Sequence, residues 1–363
     1  MAAPMNVPRH IDELTAEWLS TVLGRPVEVM RVDRLAEDSA FAAQLFRLHL
    51  TGDSTTEDFS STVIVKLPVG ADNPARQILD GFHAYDREVA FYRDVVGRGA
   101  TVRTPRARFV AHDPDSHDFV LIIEDLAPLE AADQLSGLSM AQAETIIDAL
   151  AEFHCWAWEN DNLDVAGAGL PRIDALDTRA HHAMFGEVFD LAWPQVAARL
   201  YDEIAPEVHE LCNHFSTLIH YLAEALGTPR TIIHGELRSD NLFLPLDGSD
   251  PYLIDFQAAT RACGLLDVAY LITSSVRSDV RCGNDAVLVQ RYVDGIARRG
   301  ITSYGFDQAW RQYRISAMFG LVYPVLASTR WEASGPRGRL LLDEMVRRST
   351  TAISQIGAVE LLP

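Results

Sequence analysis

The chain opens with apolar residues at helical spacing. Ile11, Leu14, Trp18, Leu19, Val22 and Leu23 share one face, and Gly24 stands where a helix would stop. Residues 27–35 and 43–50 read as strands, although Leu45, Leu48 and Leu50 do not alternate strictly. Polar residues Thr51 to Ser61 separate that hairpin from Val63-Ile64-Val65-Lys66-Leu67-Pro68, an apolar run of the kind a buried strand shows. Pro74 to Val96 carries a helical pattern through Phe82, Tyr85, Val89, Phe91 and Tyr92. Val102–Val110 and Phe119–Ile123 predict two more strands, the second running into Glu124-Asp125-Leu126.

Beyond this point the period changes. Residues 139–158 form an amphipathic helical pattern with Ser139 as its N-cap. Residues 180–226 read as helical, with interruptions near Pro194 and Pro206. Residues 230–260 return to short strands and a loop, and from Asp267 onward the pattern is helical again. The expectation is an α+β chain with a strand-rich part over residues 1–125, a helix-rich part over 126–363, and the switch at Glu124–Pro128.

Composition narrows this picture. Of 363 residues, 48% are hydrophobic and 23% charged, the mixture of a globular protein with a sizeable core. No apolar run approaches the ~18 residues of a membrane helix. The first residues lack a basic start and an apolar stretch, which predicts no signal peptide. Four scattered cysteines without a C-x-x-C pair argue for a reducing, cytoplasmic setting and against a cysteine-built zinc site. The net charge of −20 weighs against nucleic acid and anionic membranes as partners. Residues 127–363 alone carry −13 (18 basic, 31 acidic), which is compatible with a cationic small substrate. Oligomeric state is not legible in these patterns.

One count is sharper. Of 31 basic residues, 30 are arginine, and the single lysine is Lys66, inside the apolar strand. A charge there costs free energy unless it is paired or its head reaches water. The functional reading is a compact ammonium that a planar guanidinium does not replace.

The densest polar cluster in an apolar setting is His234-Gly235-Glu236-Leu237-Arg238-Ser239-Asp240-Asn241, followed fourteen residues after Asn241 by Asp255-Phe256-Gln257. Carboxylates beside a carboxamide suit a hard cation such as Mg²⁺. Together with a distant strand lysine they are the parts of a phosphoryl-transfer site.

These segments resemble the protein-kinase-like small-molecule kinases: aminoglycoside phosphotransferases, choline kinases and, nearest in pattern, ecdysteroid-kinase-like enzymes. The family's His-x-Asp-x4-Asn is matched by His234-Gly235-Glu236-x4-Asn241, and its Asp-Phe-Gly or Asp-Phe-Gln by Asp255-Phe256-Gln257. Arg87-Glu88-Val89-Ala90-Phe91-Tyr92 is similar to the family's R-E-x-x-F-Y. Further matches are Leu121–Leu126, Leu150-Ala151-Glu152-Phe153-His154 and Gly264–Tyr270. The resemblance implies a two-lobed kinase-like fold, with a small antiparallel-sheet N-lobe that binds nucleotide and a large helical C-lobe that holds the catalytic loop and acceptor pocket. It implies ATP and Mg²⁺ as cofactors and a small-molecule hydroxyl as acceptor. Lys66, held by Glu88, would orient phosphates; Asn241 and Asp255 would hold Mg²⁺; Glu236 would act as base. Backbone at Glu124, Asp125 and Leu126 would meet adenine, and small residues including Ser39 and Ala40 would cover the phosphates.

Two positions depart from the pattern. Glu236 stands where the family has aspartate, with Asp240 as an alternative carboxylate, and residues 36–43 contain no glycine. The competing reading is therefore a nucleotide- or ligand-binding protein without transfer. A hydrolase finds no G-x-S-x-G or H-E-x-x-H, and no A-P-E follows Asp255 as a protein kinase would require. His234 reads as a loop brace, His154 as a core histidine, and Asp267 as a cap or brace. Adjacent His181 and His182 do not face one ion on a helix.

Overall fold

The computed structural model describes residues 7–35, 43–52, 61–73, 75–160, 169–176 and 178–363. The expected phosphate-covering residues Ser39 and Ala40 lie outside them. The chain divides into two compact units, one of residues 1–99 and 104–129, the other of residues 100–103 and 130–363.

The first unit is built on a five-stranded antiparallel sheet. Its strands are β1 (Val27–Leu35), β2 (Ala43–Gly52), β3 (Thr62–Pro68), β4 (Ala107–Asp113) and β5 (Asp118–Glu124), in the order β1-β2-β3-β5-β4. Side chains alternate across a strand, and here the alternation sorts the middle strand. Val63, Val65 and Leu67 join Phe46, Leu48, Val120 and Ile122 in a core covered by Leu19 of helix α1 (Ala16–Leu23). Lys66 therefore falls on the other face, where it pairs in register with Leu45 and Leu121. Helix α2 (Ala75–Gly81) leads into α3 (Ala84–Ala90), which packs on that face; Tyr85 of α3 stacks on Phe119 of β5 at 4.6 Å. With both faces covered, β5 is buried through Ile123, which is why its sequence runs apolar without alternation.

Three details differ from the sequence pattern. The first helix is split into a 3₁₀ turn, Ile11–Glu13, and α1, with Thr15 as N-cap accepting from the Trp18 amide and Gly24 at φ +68 closing the end. The helical pattern over 74–96 is broken between α2 and α3, where His83 adopts a left-handed φ of 55°, and it ends in a π-helical turn, Phe91–Val95. The strand expected from Val102 starts at Ala107; Pro105, which has no N–H to give a sheet, precedes it.

The second unit is mostly helical: α4 (Met140–Ala157), α5 (Arg179–Leu200), α6 (Pro206–Asn213), α7 (Phe215–Ala225), then α8 (Leu265–Tyr270), α9 (Ser278–Arg281), α10 (Asp285–Arg298), α11 (Phe306–Gly320), α12 (Val322–Ala327) and α13 (Pro336–Gln355). Ser139 and Gln142 form a reciprocal capping box at the start of α4. Pro206 opens α6 as its first residue, whereas Pro194 lies inside α5 without ending it. Phe189, Trp193, Val196 and Leu200 are all buried along that helix, so packing carries it through the lost backbone bond. Two short ladders interrupt the helices: β6 (Thr231–Ile233) with β9 (Thr260–Ala262), and β7 (Leu242–Phe243) with β8 (Tyr252–Leu253). Among the described residues, no helix is long and apolar enough to cross a membrane.

Candidate active site

In the helical unit, strand β6 delivers the chain into His234-Gly235-Glu236. The turn is fixed from below by Asp267 on α8, whose carboxylate accepts the backbone N–H of His234 (2.7 Å) and of Gly235 (2.8 Å). His154 of α4 stands 3.3 Å from the same carboxylate through Nε2, and its Nδ1 meets the Tyr292 hydroxyl at 2.9 Å. All of these side chains are buried. Asp267 thus braces the loop, as its sequence context suggested, and His154, read as a core histidine, is one: it is fully buried and backs that carboxylate. Gly235 has φ +87, and a Cβ there would lie 2.2 Å from the Ala258 carbonyl oxygen. Only glycine fits the position.

His234 ties this loop to the next segment. The Glu236 N–H donates to its Nδ1 (3.3 Å), which leaves Nε2–H to donate to the Ile254 carbonyl (2.8 Å). Both ring nitrogens are thereby engaged, which fixes the orientation of the imidazole. Past the two-residue β7–β8 ladder, the Ile254 N–H donates to the Asn241 carbonyl at 3.1 Å. The hairpin therefore brings Asn241 and the residue next to Ile254, Asp255, to one end. The Asn241 amide nitrogen donates to the Glu236 carbonyl at 3.0 Å, which turns its oxygen the other way. Asp255 itself sits at φ 68, ψ 66, a left-handed conformation that is uncommon for non-glycine residues and that aspartate tolerates better than most.

Glu236, Arg238 and Asp240 alternate along the loop. Arg238 holds Asp240 at 2.5 Å through Nη1, but its Nε stands 3.7 Å from Glu236, beyond hydrogen-bond reach. The other Asp240 oxygen accepts the Gln134 N–H at 3.2 Å. Asp240 is thus committed on both sides. The Glu236 side chain keeps 38% of its surface accessible, yet protein crowds the carboxylate. Burial pushes its pKa up; Arg238 opposes, Asp255 and Asp240 reinforce, and the value rises to about 7. Arg238 itself stays firmly protonated, since its two acidic neighbours outweigh its burial.

Sequence reading did not single out Arg238, although the Glu-x-Arg-x-Asp spacing was a visible signal. It also missed Gln134 and Arg348. The Gln134 side chain accepts the Ser239 N–H at 2.9 Å, and Arg348 of α13 donates to the Gln134 and Leu135 carbonyls at 2.7 and 2.8 Å. These partners lie over a hundred positions away in sequence, where no local pattern points.

In the sheet unit, Lys66 and Glu88 form a buried ion pair at 2.7 Å, with 7% and 1% of their surface exposed. The strand lysine expected to need a partner has one, supplied by α3. Leaving either charge alone in that setting would cost about 3–5 kcal/mol. At the end of β5, Asp125 is gripped by Arg47 through two bonds of 2.7 and 3.2 Å and caps the Ala127 N–H at 3.1 Å. Burial works against the Asp125 charge, but these partners hold its carboxyl below the usual range. The Glu124 N–H already donates to the Arg106 carbonyl, and the Leu126 carbonyl accepts from Leu129. Those two backbone groups are committed within the protein.

Comparison with known proteins bears on the family and the fold. Residues 38–299 match the model of the ecdysteroid kinase-like family, and the chain belongs to that family. No curated protein matches the sequence at a significant level. Among solved structures, the chain is similar to an aminoglycoside phosphotransferase described as putative from Ralstonia eutropha (13% identity, 96% of this chain and 98% of that one, TM-score 0.55). It is also similar to the choline kinase LicA from Streptococcus pneumoniae (16%, 96% and 99%, TM-score 0.52). A third neighbour is wild-type aminoglycoside 2'-phosphotransferase-IIIa in its GDP complex (14%, 87% and 93%, TM-score 0.51). At these identities the likeness establishes the two-lobed kinase-like fold, with its small antiparallel sheet and its larger helical part, shared by small-molecule phosphotransferases.

Proposed function

We propose that this chain transfers the γ-phosphate of ATP to a hydroxyl group of a small molecule. The observation that carries the reading is the convergence, within the helical unit, of Glu236, Asn241 and Asp255 at one end of the β7–β8 hairpin. The donor set fits Mg²⁺: a carboxylate and a carboxamide whose nitrogen is already spent on a backbone carbonyl. Asn241 and Asp255 would hold the ion, which when bound neutralises charge on the phosphates. The Lys66 ammonium, kept in place by Glu88, would pair with phosphate oxygens. Backbone at Asp125, and the groups of Glu124 and Leu126 not already bonded, would meet the base.

Glu236 rather than Asp240 is the group to take or orient the acceptor's proton. Asp240 is tied to Arg238 and to the Gln134 amide, whereas Arg238 stays out of hydrogen-bond reach of Glu236. A pKa near 7 is also where a general base works best at neutral pH. The GDP complex of one neighbour supports nucleotide binding in this fold. The acidic surface of the helical part is suited to a cationic acceptor.

The test is acceptor-dependent ADP release over a panel of amino alcohols, aminoglycosides, sterols and sugars, beside direct titration of Mg·ATP. Wild type is expected to release ADP with at least one acceptor class. Asp255→Asn is expected to lose Mg²⁺-dependent nucleotide affinity while remaining folded. Equal Mg·ATP affinity in both proteins would make Asp255 structural. Nucleotide binding without turnover of any acceptor would favour the binding-protein reading, for which the glutamate at position 236 is the specific argument.

A further inference from the structure

A second polar cluster lies in the sheet unit, apart from every residue of the candidate active site. Asp86, on the first turn of α3, is met by three histidines. His83 Nδ1 and His117 Nδ1 each stand 3.1 Å from Asp86 Oδ2, and His112 Nε2 stands 2.6 Å from Asp86 Oδ1. His83 precedes α3, His112 lies on β4, and His117 is the last residue of the β4–β5 turn. Three segments thus send imidazoles to one carboxylate.

As they stand the two 3.1 Å contacts are hydrogen bonds, and the same spacing suits metal ligands. The ligand atoms of His83, Asp86 and His117 all lie within 4.8 Å of one another. In a tetrahedral zinc site with bonds of ~2.0–2.1 Å, neighbouring ligand atoms stand about 3.3 Å apart, close to the two 3.1 Å separations here. Two of the three ligands, His83 and His117, also have left-handed backbones at φ 55. His112 meets the far carboxylate oxygen at 2.6 Å. Two imidazoles and a carboxylate select zinc-class ions over Mg²⁺ or Ca²⁺, which take oxygen donors.

We propose that His83, Asp86 and His117 form a binding site for one zinc-class divalent ion, with His112 orienting the carboxylate from its far oxygen. The ion would leave a fourth position to water and would tie the start of α3 to the β4–β5 turn. Glu88, the partner of Lys66, lies two residues beyond Asp86 on that helix. The site is a structural clamp on the element that carries the ion pair, and it stands or falls independently of phosphoryl transfer.

The experiment uses the full chain without a polyhistidine tag, stripped with chelator and held in excess Mg²⁺ to saturate hard-cation sites. Co²⁺ is titrated in and followed by visible absorption, with Zn²⁺ as competitor. Wild type is expected to take up one equivalent with the intensified bands of tetrahedral Co²⁺, displaced by Zn²⁺. His83→Asn and His117→Asn are expected to abolish those bands; asparagine tolerates the left-handed backbone, and melting in chelator checks that both variants remain folded. His112→Gln is expected to weaken affinity roughly 10–100-fold, the usual effect of losing an outer partner. Asp255→Asn is expected to bind Co²⁺ as wild type does. Absence of the bands in wild type, their survival in the His83→Asn/His117→Asn double variant, or thiolate charge-transfer bands from exposed Cys282 would each overturn the assignment.

Discussion

Glu236 shows how one methylene and its surroundings change a carboxylate. Its ordinary value is near 4.5, and here it is lifted to about 7, first by burial and then by the Asp255 and Asp240 charges. A base must be ionised to act, so acceptor-dependent kcat/KM is expected to fall as pH drops below about 7. The same shift has an opposite effect on stability. The folded state holds this proton more tightly than the unfolded chain does. Its contribution to stability is therefore present below the ordinary value and is lost as pH rises from about 4.5 through about 7. Glu236→Gln is expected to abolish or sharply cut turnover and yet raise the melting temperature at pH 8, with little change at pH 4. Thermal melting of both proteins at the two pH values checks this. A variant no more stable at pH 8 would mean that the carboxylate is not strained in the folded chain.

At the scale of elements, the catalytic loop owes its shape to α8. Asp267 takes two buried backbone N–H groups and faces His154. Asp267→Ala would leave those donors unsatisfied, at about 1–3 kcal/mol each. Urea unfolding is expected to show a loss of several kcal/mol, and an unchanged midpoint would remove Asp267 from its bracing role. Much of this was legible in the sequence, because short-range physics dictates it. The Ser139 N-cap, the Gly24 stop, the apolar runs of β3 and β5, and the His234–Asn241 and Asp255–Gln257 segments all announce themselves within a few residues. Other features did not, for stated reasons. Pro194 is a local breaker overruled by four buried neighbours on its own helix. The break at His83 interrupts an apolar period that continues on both sides, so periodicity alone reads through it. The Gln134–Arg348 support joins residues whose contact exists only after folding.

For the whole molecule, membership of the ecdysteroid kinase-like family and the kinase-like fold agree with the order of motifs along the chain. The chain's near-total preference for arginine leaves one side-chain amine, on the middle strand of the five-stranded sheet. That feature makes the protein its own reporter. An endoproteinase specific for lysine has one side chain to recognise, and its peptide bond lies in β3, hydrogen-bonded between β2 and β5 with Lys66 only 7% exposed. The native chain is expected to resist such a protease until the sheet opens, and then to be cut once, into two pieces of about 66 and 297 residues. Because cleavage follows the population of the open form when reclosing is fast, its rate reads the local stability of this sheet directly. If Lys66 and Glu88 take up nucleotide phosphates, adding Mg·ATP should slow the cut; rapid single cleavage of the native protein would show that β3 is far less secure than its burial implies.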